Sequence, residues 1–572
     1  MSNLINFWSK NGDNNNLKLK LLLVGGGVLT LAAGVLLYQH RPSKQEGTPN
    51  LDTPYSFFFG NLQFVAEAHH KKKGHELIYE AFVKSKAPVV NMSFPERTCR
   101  LLSDDPEIIK FVFETEFESF EKGEEMESLC QTHQRYFLKK FIVVTILSGT
   151  QFADEENMSL LYISTDVYVF FWTTICRNLM WKKKKKKKQW KMHRKAASRM
   201  FSMRNLKEYM FSCALSGSQR TVAKLKELKD MDQFKESGVD ISDILGRFTL
   251  DSFIEICFGR SLEIVESAPN EHAFSQAFDE SIHICSARSV DLFWKWKKSL
   301  SIGNEQLVKK NEKILNEFVY RLLDIDTRRR LIDESGVDKH DIISLYLSME
   351  PKITRKELRD VALNMIIAGR DTTRLLLSWF FYAIENKPKI LEKIREEINA
   401  ISTSDISYTQ ASEGLKYTEC VLLETLRLYP PVGWSWRYAR QDMSLPEKNF
   451  HMRKGDSLSV QHWAMGRSTA IWGKDALIFD PMRWYAEGIN TKTPYEFVQF
   501  HIPPRVCLGR QFALLEAKTF LFYFFKNFNF KAKISRPISY DHNEDHAVLI
   551  PYSSGALLQM STGYYLTLTT VD

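Results

Sequence analysis

The run TRKELRDVALNMIIAGRDTTRLLLSWFFYAIEN (354–386) carries the longest helical pattern in the chain. Thr354 with Glu357 three residues on is a capping box: the hydroxyl accepts from the Glu357 N–H and the carboxylate from the Thr354 N–H. Apolar residues then occupy most of the circumference, and no proline intervenes before Pro388. At 1.5 Å per residue the predicted helix is about 48 Å long. A rod so long and so apolar must cross the interior of a large domain. Its middle, AGRDTT (Ala368–Thr373), is poor helix material, because Gly369 costs about 1 kcal/mol relative to alanine and Thr372 and Thr373 are β-branched. Two readings fit. In one, the helix kinks or a neighbour packs closely at Gly369; in the other, a local bulge opens a ligand groove and points a carboxylate and a hydroxyl into it.

Outward from this rod, helical patterns dominate from Asp104 to Lys526, with strand-like stretches at Val89–Phe94, Ser457–Gln461 and Tyr564–Val571. The expected fold class is mainly α with small β-sheets at its edges. PKILEKIREEINAI (388–401) sets Ile390, Ile394 and Ile398 on one face and reads as packing. In LKYTECVLLETLRLYPP (415–431), Glu424 and Arg427 lie three apart, on one helix face among leucines. A surface ion pair and a buried pair both fit that spacing; a buried pair needs further partners, and Arg483 in FDPMRW is a candidate third member.

The 572 residues are 44% hydrophobic and 26% charged, the composition of a folded protein rather than a disordered one. Seven of the net +9 charges are one run, Lys182–Lys188; without it the balance is about +2, which argues against nucleic acid as a partner. Eight cysteines without a C-x-x-C pair fit a reducing compartment and argue against structural zinc. Residues 1–17 read as a polar leader and 18–40 as a membrane anchor, since Leu21–Tyr38 is an uncharged stretch at the lower limit for a spanning helix. A cleaved signal peptide is the alternative, but the stretch is long and starts late for one. Residues 41–55 follow as a Pro-containing tether, and 56–572 form the globular domain.

The stretch FHIPPRVCLGR (500–510) sets Cys507 just ahead of another helix. Alone, such a cysteine is either a metal ligand or a small buried hydrophobe. Taken with the other motifs, the chain resembles the cytochrome P-450 haem-thiolate monooxygenases. Phe500, Arg505, Cys507 and Gly509 match the family's pattern around its cysteine. Ala368–Thr373 match the motif of its central helix, Glu424 and Arg427 its Glu-x-x-Arg, Phe479–Arg483 its Phe-x-Pro-x-Arg, and Trp190 with Arg194 its Trp-x-x-x-Arg.

The resemblance implies the P-450 fold, with haem b between the long helix and the cysteine loop and Cys507 as axial iron ligand. By the same resemblance, Trp190, Arg194 and Arg505 hold the propionates and Phe500 shields the sulfur, while Glu424, Arg427 and Arg483 are structural. Asp371 and Thr372 would manage protons on the distal side. Arg505 and the helix N-terminus near Arg510 are expected to lower the thiol pKa. With no flavin or nicotinamide fingerprint, electrons are expected from a separate NADPH-dependent reductase. FTLDSFIEICFG (248–259), RDVALNMIIAGRDTT (359–373) and AMGRSTAIWGKDALIFDPMRW (464–484) are similar to membrane-anchored fatty-acid and alkane hydroxylases. This implies a lipophilic substrate, membrane lipid as a partner, and a single-pass protein of the endoplasmic reticulum with a cytosolic catalytic domain.

Two features depart from the family. Residues 134–189 read as an atypical insertion containing VYVFFWTTIC and seven lysines. A second membrane helix would be too short, a polybasic lipid patch is another reading, and a translated intron is the favoured one. Pro503 stands where the family has glycine, and proline cannot take the positive φ that glycine permits. The alternative to an active monooxygenase is therefore a haem-poor, membrane-anchored relative.

Overall fold

The computed structural model describes residues 74–121 and 194–571, with breaks at 95–96, 103, 195–196, 271, 288–293, 324–340, 350–352, 487–491, 534–550 and 553–556. The leader, the 18–40 anchor, the tether, the 134–189 insertion and Trp190 lie outside the described residues. Among those described, no helix is long and apolar enough to cross a membrane.

Helices form the body of the protein: α1 Gly74–Ser85, α2 Phe211–Asp230, α3 Ile241–Phe258, α4 Ala273–Ala287, α5 Asn304–Leu323, α6 Arg355–Ile384, α7 Pro388–Asn399, α8 Lys416–Leu428 and α9 Arg510–Asn527. The strands are short: β1 Val89–Phe94, β2 Arg97–Leu102, β3 Phe120–Glu121, β4 Val239–Asp240, β5 Trp434–Ala439, β6 Met443–Leu445, β7 Phe450–Met452, β8 Ser457–Gln461, β9 Phe528–Ala532 and β10 Tyr565–Thr570. They make a five-stranded sheet in the order β1-β2-β8-β5-β3, a three-stranded sheet β4-β10-β9 and the hairpin β6-β7. Within the large sheet β2 and β8 run parallel, with Leu101 opposite Ser459, and the other pairs are antiparallel. This mainly helical architecture with peripheral sheets is the one expected from the periodicity.

The capping box forms as its residues dictate. Thr354 Oγ1 accepts from the Glu357 N–H at 3.2 Å, and Glu357 Oε2 accepts from the Thr354 N–H at 3.0 Å. From there α6 runs unbroken to Ile384, buried along most of its length and packed lengthwise on α3. Trp379 anchors its C-terminal half by stacking on Tyr429 at 5.1 Å and donating from Nε1 to the Leu558 carbonyl at 2.6 Å. On α7, Ile394 and Ile398 are buried and Ile390 packs on the same core.

The weak stretch AGRDTT resolves in favour of close packing. No bulge interrupts α6. A Cβ added at Gly369 would stand 2.0 Å from Cδ2 of Phe253 on α3. Phe253 in turn meets Phe512 of α9 edge-on at 6.2 Å, so glycine lets three helices share one aromatic layer. Gly369→Ala is expected to destabilise the fold by about 1–3 kcal/mol, although alanine is the better helix former. The midpoint of denaturant unfolding reads this, and an unchanged midpoint would mean that Phe253 yields freely.

Candidate functional site

The loop before α9 builds the site. Its main chain folds on itself: His501 N–H donates to the Val498 carbonyl at 2.8 Å, Arg505 N–H to Ile502 at 2.9 Å and Cys507 N–H to Phe500 at 2.7 Å. Cys507 is held three residues before α9 and its side chain is exposed. Desolvation by surrounding protein pushes the thiol up, while the N–H groups of Gly509 and Arg510 and the guanidinium groups of Arg194 and Arg510 pull it down. The helix N-terminus therefore favours the thiolate, opposing the desolvation. Of the two cations acting on the thiol, Arg194 donates from Nη2 to the carbonyl of Val506, the residue beside Cys507, at 2.8 Å. Phe500 is half-buried beside Phe497 and lies under the Arg510 guanidinium at 5.1 Å.

Arg505 lies among other cations. Burial depresses its pKa to about 10, with Arg194 adding to the effect. Beyond it lies Arg437 of β5, depressed to about 9 by complete burial and by Arg505. The Arg437 guanidinium donates to the Trp436 carbonyl at 2.6 Å and covers the Phe113 ring at 4.3 Å. Among the described residues no carboxylate lies within ion-pair distance of it. A fully buried guanidinium is costly unless an anion joins it. Sequence reasoning missed Arg437; the one signal was an arginine inside the aromatic run WSWRYA.

Proline at 503 causes no left-handed strain. The positive φ of this loop is at His501, with φ 64° and ψ 178°.

On α6, Asp371 and Thr372 are successive residues and so diverge by about 100° around the axis. Thr372 Oγ1 donates to the Ala368 carbonyl at 2.8 Å. Asp371 is buried, and desolvation raises its pKa to about 6 despite Arg370. Arg370 reaches it at 3.4 Å but is held more closely by Asp279 of α4, in a two-pronged pair at 2.6 and 2.9 Å. Neither Asp279 nor the role of Arg370 was legible in the sequence, since 91 residues separate them.

The Glu424–Arg427 spacing resolves as a buried pair. Both side chains are fully inaccessible, with Arg427 Nη2 2.7 Å from Glu424 Oε1. Glu424 also accepts from the Asp480 N–H at 2.8 Å and from Trp484 Nε1 at 2.9 Å, while Arg483 Nε lies 3.6 Å away. Arg427 spends its other donors on the carbonyls of Gly466, Ala476 and Ile478. Trp484 is the member that spacing did not suggest.

The cytochrome P450 family model matches residues 178–558, two thirds of the sequence, a range that includes this loop. The chain belongs to the cytochrome P450 family. Curated P450s resemble it across most of its length. Cytochrome P450 704C1 of Pinus taeda is 31% identical over 62% of this chain and 72% of its own. Cytochrome P450 704B1 of Arabidopsis thaliana is 28% identical over 82% and 87%. Cytochrome P450 monooxygenase cyp1 of Mycosarcoma maydis is 28% identical over 60% and 55%. As a P450 the protein is an oxidoreductase of the monooxygenase type with haem as the family's cofactor. The P450 family generally works with a redox partner and lipophilic substrates.

Proposed function

We propose that this P450 hydroxylates an unactivated C–H bond of a long-chain lipophile, a fatty acid or alkane, with electrons from a separate NADPH-dependent reductase. The observation that carries the haem-enzyme reading is the pairing of one accessible thiol at a helix N-terminus with a nearby group of arginines. The residues fit haem b. Cys507 would take the iron, and Arg194, Arg437 and Arg505 would take the propionates, which supply the negative charge that the buried Arg437 requires. Trp190 joins them by the motif alone. Phe500 would keep water from the sulfur.

When bound, haem held by a thiolate supplies dioxygen activation, because thiolate donation favours O–O cleavage. The chain's own part is proton control and exclusion of water. Asp371, poised near pH 6, would exchange protons with water on the distal side, and Thr372 would hold one at its hydroxyl. Glu424, Arg427 and Arg483 stay out of the chemistry and fix the loops on which the cradle stands. The stretches at 248–259, 359–373 and 464–484 support a chain-like substrate by their likeness to fatty-acid and alkane hydroxylases. The apolar run at 21–38 supports an anchor in the endoplasmic reticulum.

The reduced carbon-monoxide difference spectrum of the full chain tests this reading. A red-shifted, thiolate-type Soret band is expected, lost in Cys507→Ser while the far-ultraviolet circular dichroism stays unchanged. A wild-type protein that takes up no haem would defeat the proposal. Product formation should also vanish when the reductase is omitted.

A further inference from the structure

We propose that His501 is a cofactor-binding residue, whose Nε2–H forms with Arg437 a two-donor site for a carboxylate on the edge of the bound haem. This rests on the haem reading above and extends it to a side chain that the cysteine motif leaves unspecified.

Three observations converge on His501. Its backbone, at φ 64° and ψ 178°, occupies a region open in practice only to glycine. A glycine would sit there without cost, so the geometry points to a task for the imidazole. The ring is also fixed. Nδ1 accepts from the Ile502 N–H at 2.7 Å, and the ring meets Phe113 edge-on at 5.6 Å. With Nδ1 an acceptor, the neutral ring carries its proton on Nε2. Nε2 in turn points at Arg437, 3.4 Å from Nη2. A guanidinium has only donors, so these two nitrogens are not natural partners for each other. A carboxylate between them would accept from both. Phe113 braces the two, since it contacts the His501 ring and lies under the Arg437 guanidinium. The cation is thus buried in one place and aimed in one direction, which suits a planar carboxylate.

The backbone strain makes the test decisive, because glycine and alanine remove the same imidazole but differ in strain. Full-length holoenzyme is prepared as wild type, His501→Gly, His501→Ala and His501→Gln, and haem loss to an excess of apo-globin is timed. If the imidazole binds the carboxylate, H501G and H501A both release haem about tenfold faster than wild type. H501Q, which retains an N–H donor, recovers to within about threefold. If H501G holds haem as long as wild type, whether or not H501A does, the role is one of backbone shape and the proposal fails. A thiolate-type Soret band in freshly loaded variants shows that Cys507 ligation is intact. A wild-type protein without that band would overturn the haem reading and this one with it. A normal band with unchanged haem loss in H501A overturns this one alone.

Discussion

Arg427→Ala is expected to yield almost no folded protein. Glu424 and Arg427 are both inaccessible, and each is the other's charge partner at 2.7 Å. Removing the guanidinium leaves the Glu424 carboxylate with the Asp480 N–H, Trp484 Nε1 and Arg483 at 3.6 Å. It also strips a donor from three buried carbonyls, those of Gly466, Ala476 and Ile478. Breaking a buried pair from one side costs about 3–5 kcal/mol, a large part of what holds a domain together. The affected carbonyls lie between residues 466 and 478, so loss of Arg427 loosens the segment leading into the cysteine loop. Soluble yield and the thermal unfolding midpoint measure this. Arg427→Lys is expected to rescue little, because an ammonium cannot serve a carboxylate and three carbonyls in one plane. A well-folded Arg427→Ala protein would show that the pair contributes orientation rather than stability.

Glu516→Gln is expected to stabilise the protein near neutral pH. Glu516 lies on α9, nine residues beyond Cys507, with no accessible surface. Neither carboxyl oxygen makes a hydrogen bond of ordinary geometry among the described residues. Burial pushes its pKa up to about 8, with only weak opposition from Ser252 and Thr373. The sign follows from linkage: the folded state keeps the proton between the ordinary carboxyl range near 4.5 and pH 8, where the unfolded chain has released it. The contribution of this group is complete below about pH 4.5, declines through that window and is gone above pH 8. At about 1.4 kcal/mol per pH unit, the loss reaches about 3 kcal/mol at pH 7. Glutamine has nearly the same shape and no charge to lose. Unfolding free energy measured from pH 5 to 8 should fall more steeply in wild type than in E516Q, with the curves closest at pH 5. Parallel curves would mean that Glu516 is solvated or paired in solution.

Much of the fold was legible before the structure. Local rules carried it: the capping box at Thr354, the apolar circumference of α6, the isoleucine stripe of α7 and the three-residue spacing of Glu424 and Arg427. Each is set by helix geometry within a few residues. The same holds for Cys507 ahead of α9, since a helix start fixes the direction of its N–H groups regardless of what surrounds them.

Contacts between distant segments were not legible. The sequence showed that Gly369 was expensive; only the fold revealed that Phe253, 116 positions earlier, fills the space a side chain would need. Arg505 stood close to Cys507 in sequence, and chain proximity suggested that it would act on the thiol. In the folded protein Arg194 and Arg510 act on the thiol, while Arg505 is coupled to Arg194 and Arg437. Pro503 drew attention because proline restricts φ, yet the turn put its strained residue at His501. Periodicity and capping therefore determined the helices, because those forces act over one or two turns; the reading of the cysteine loop came from its resemblance to the family's motif. Which cations come together, which glycine admits a ring and which backbone takes the strain were decided by packing among segments tens to hundreds of residues apart, a physical constraint that exists only once the chain has closed on itself.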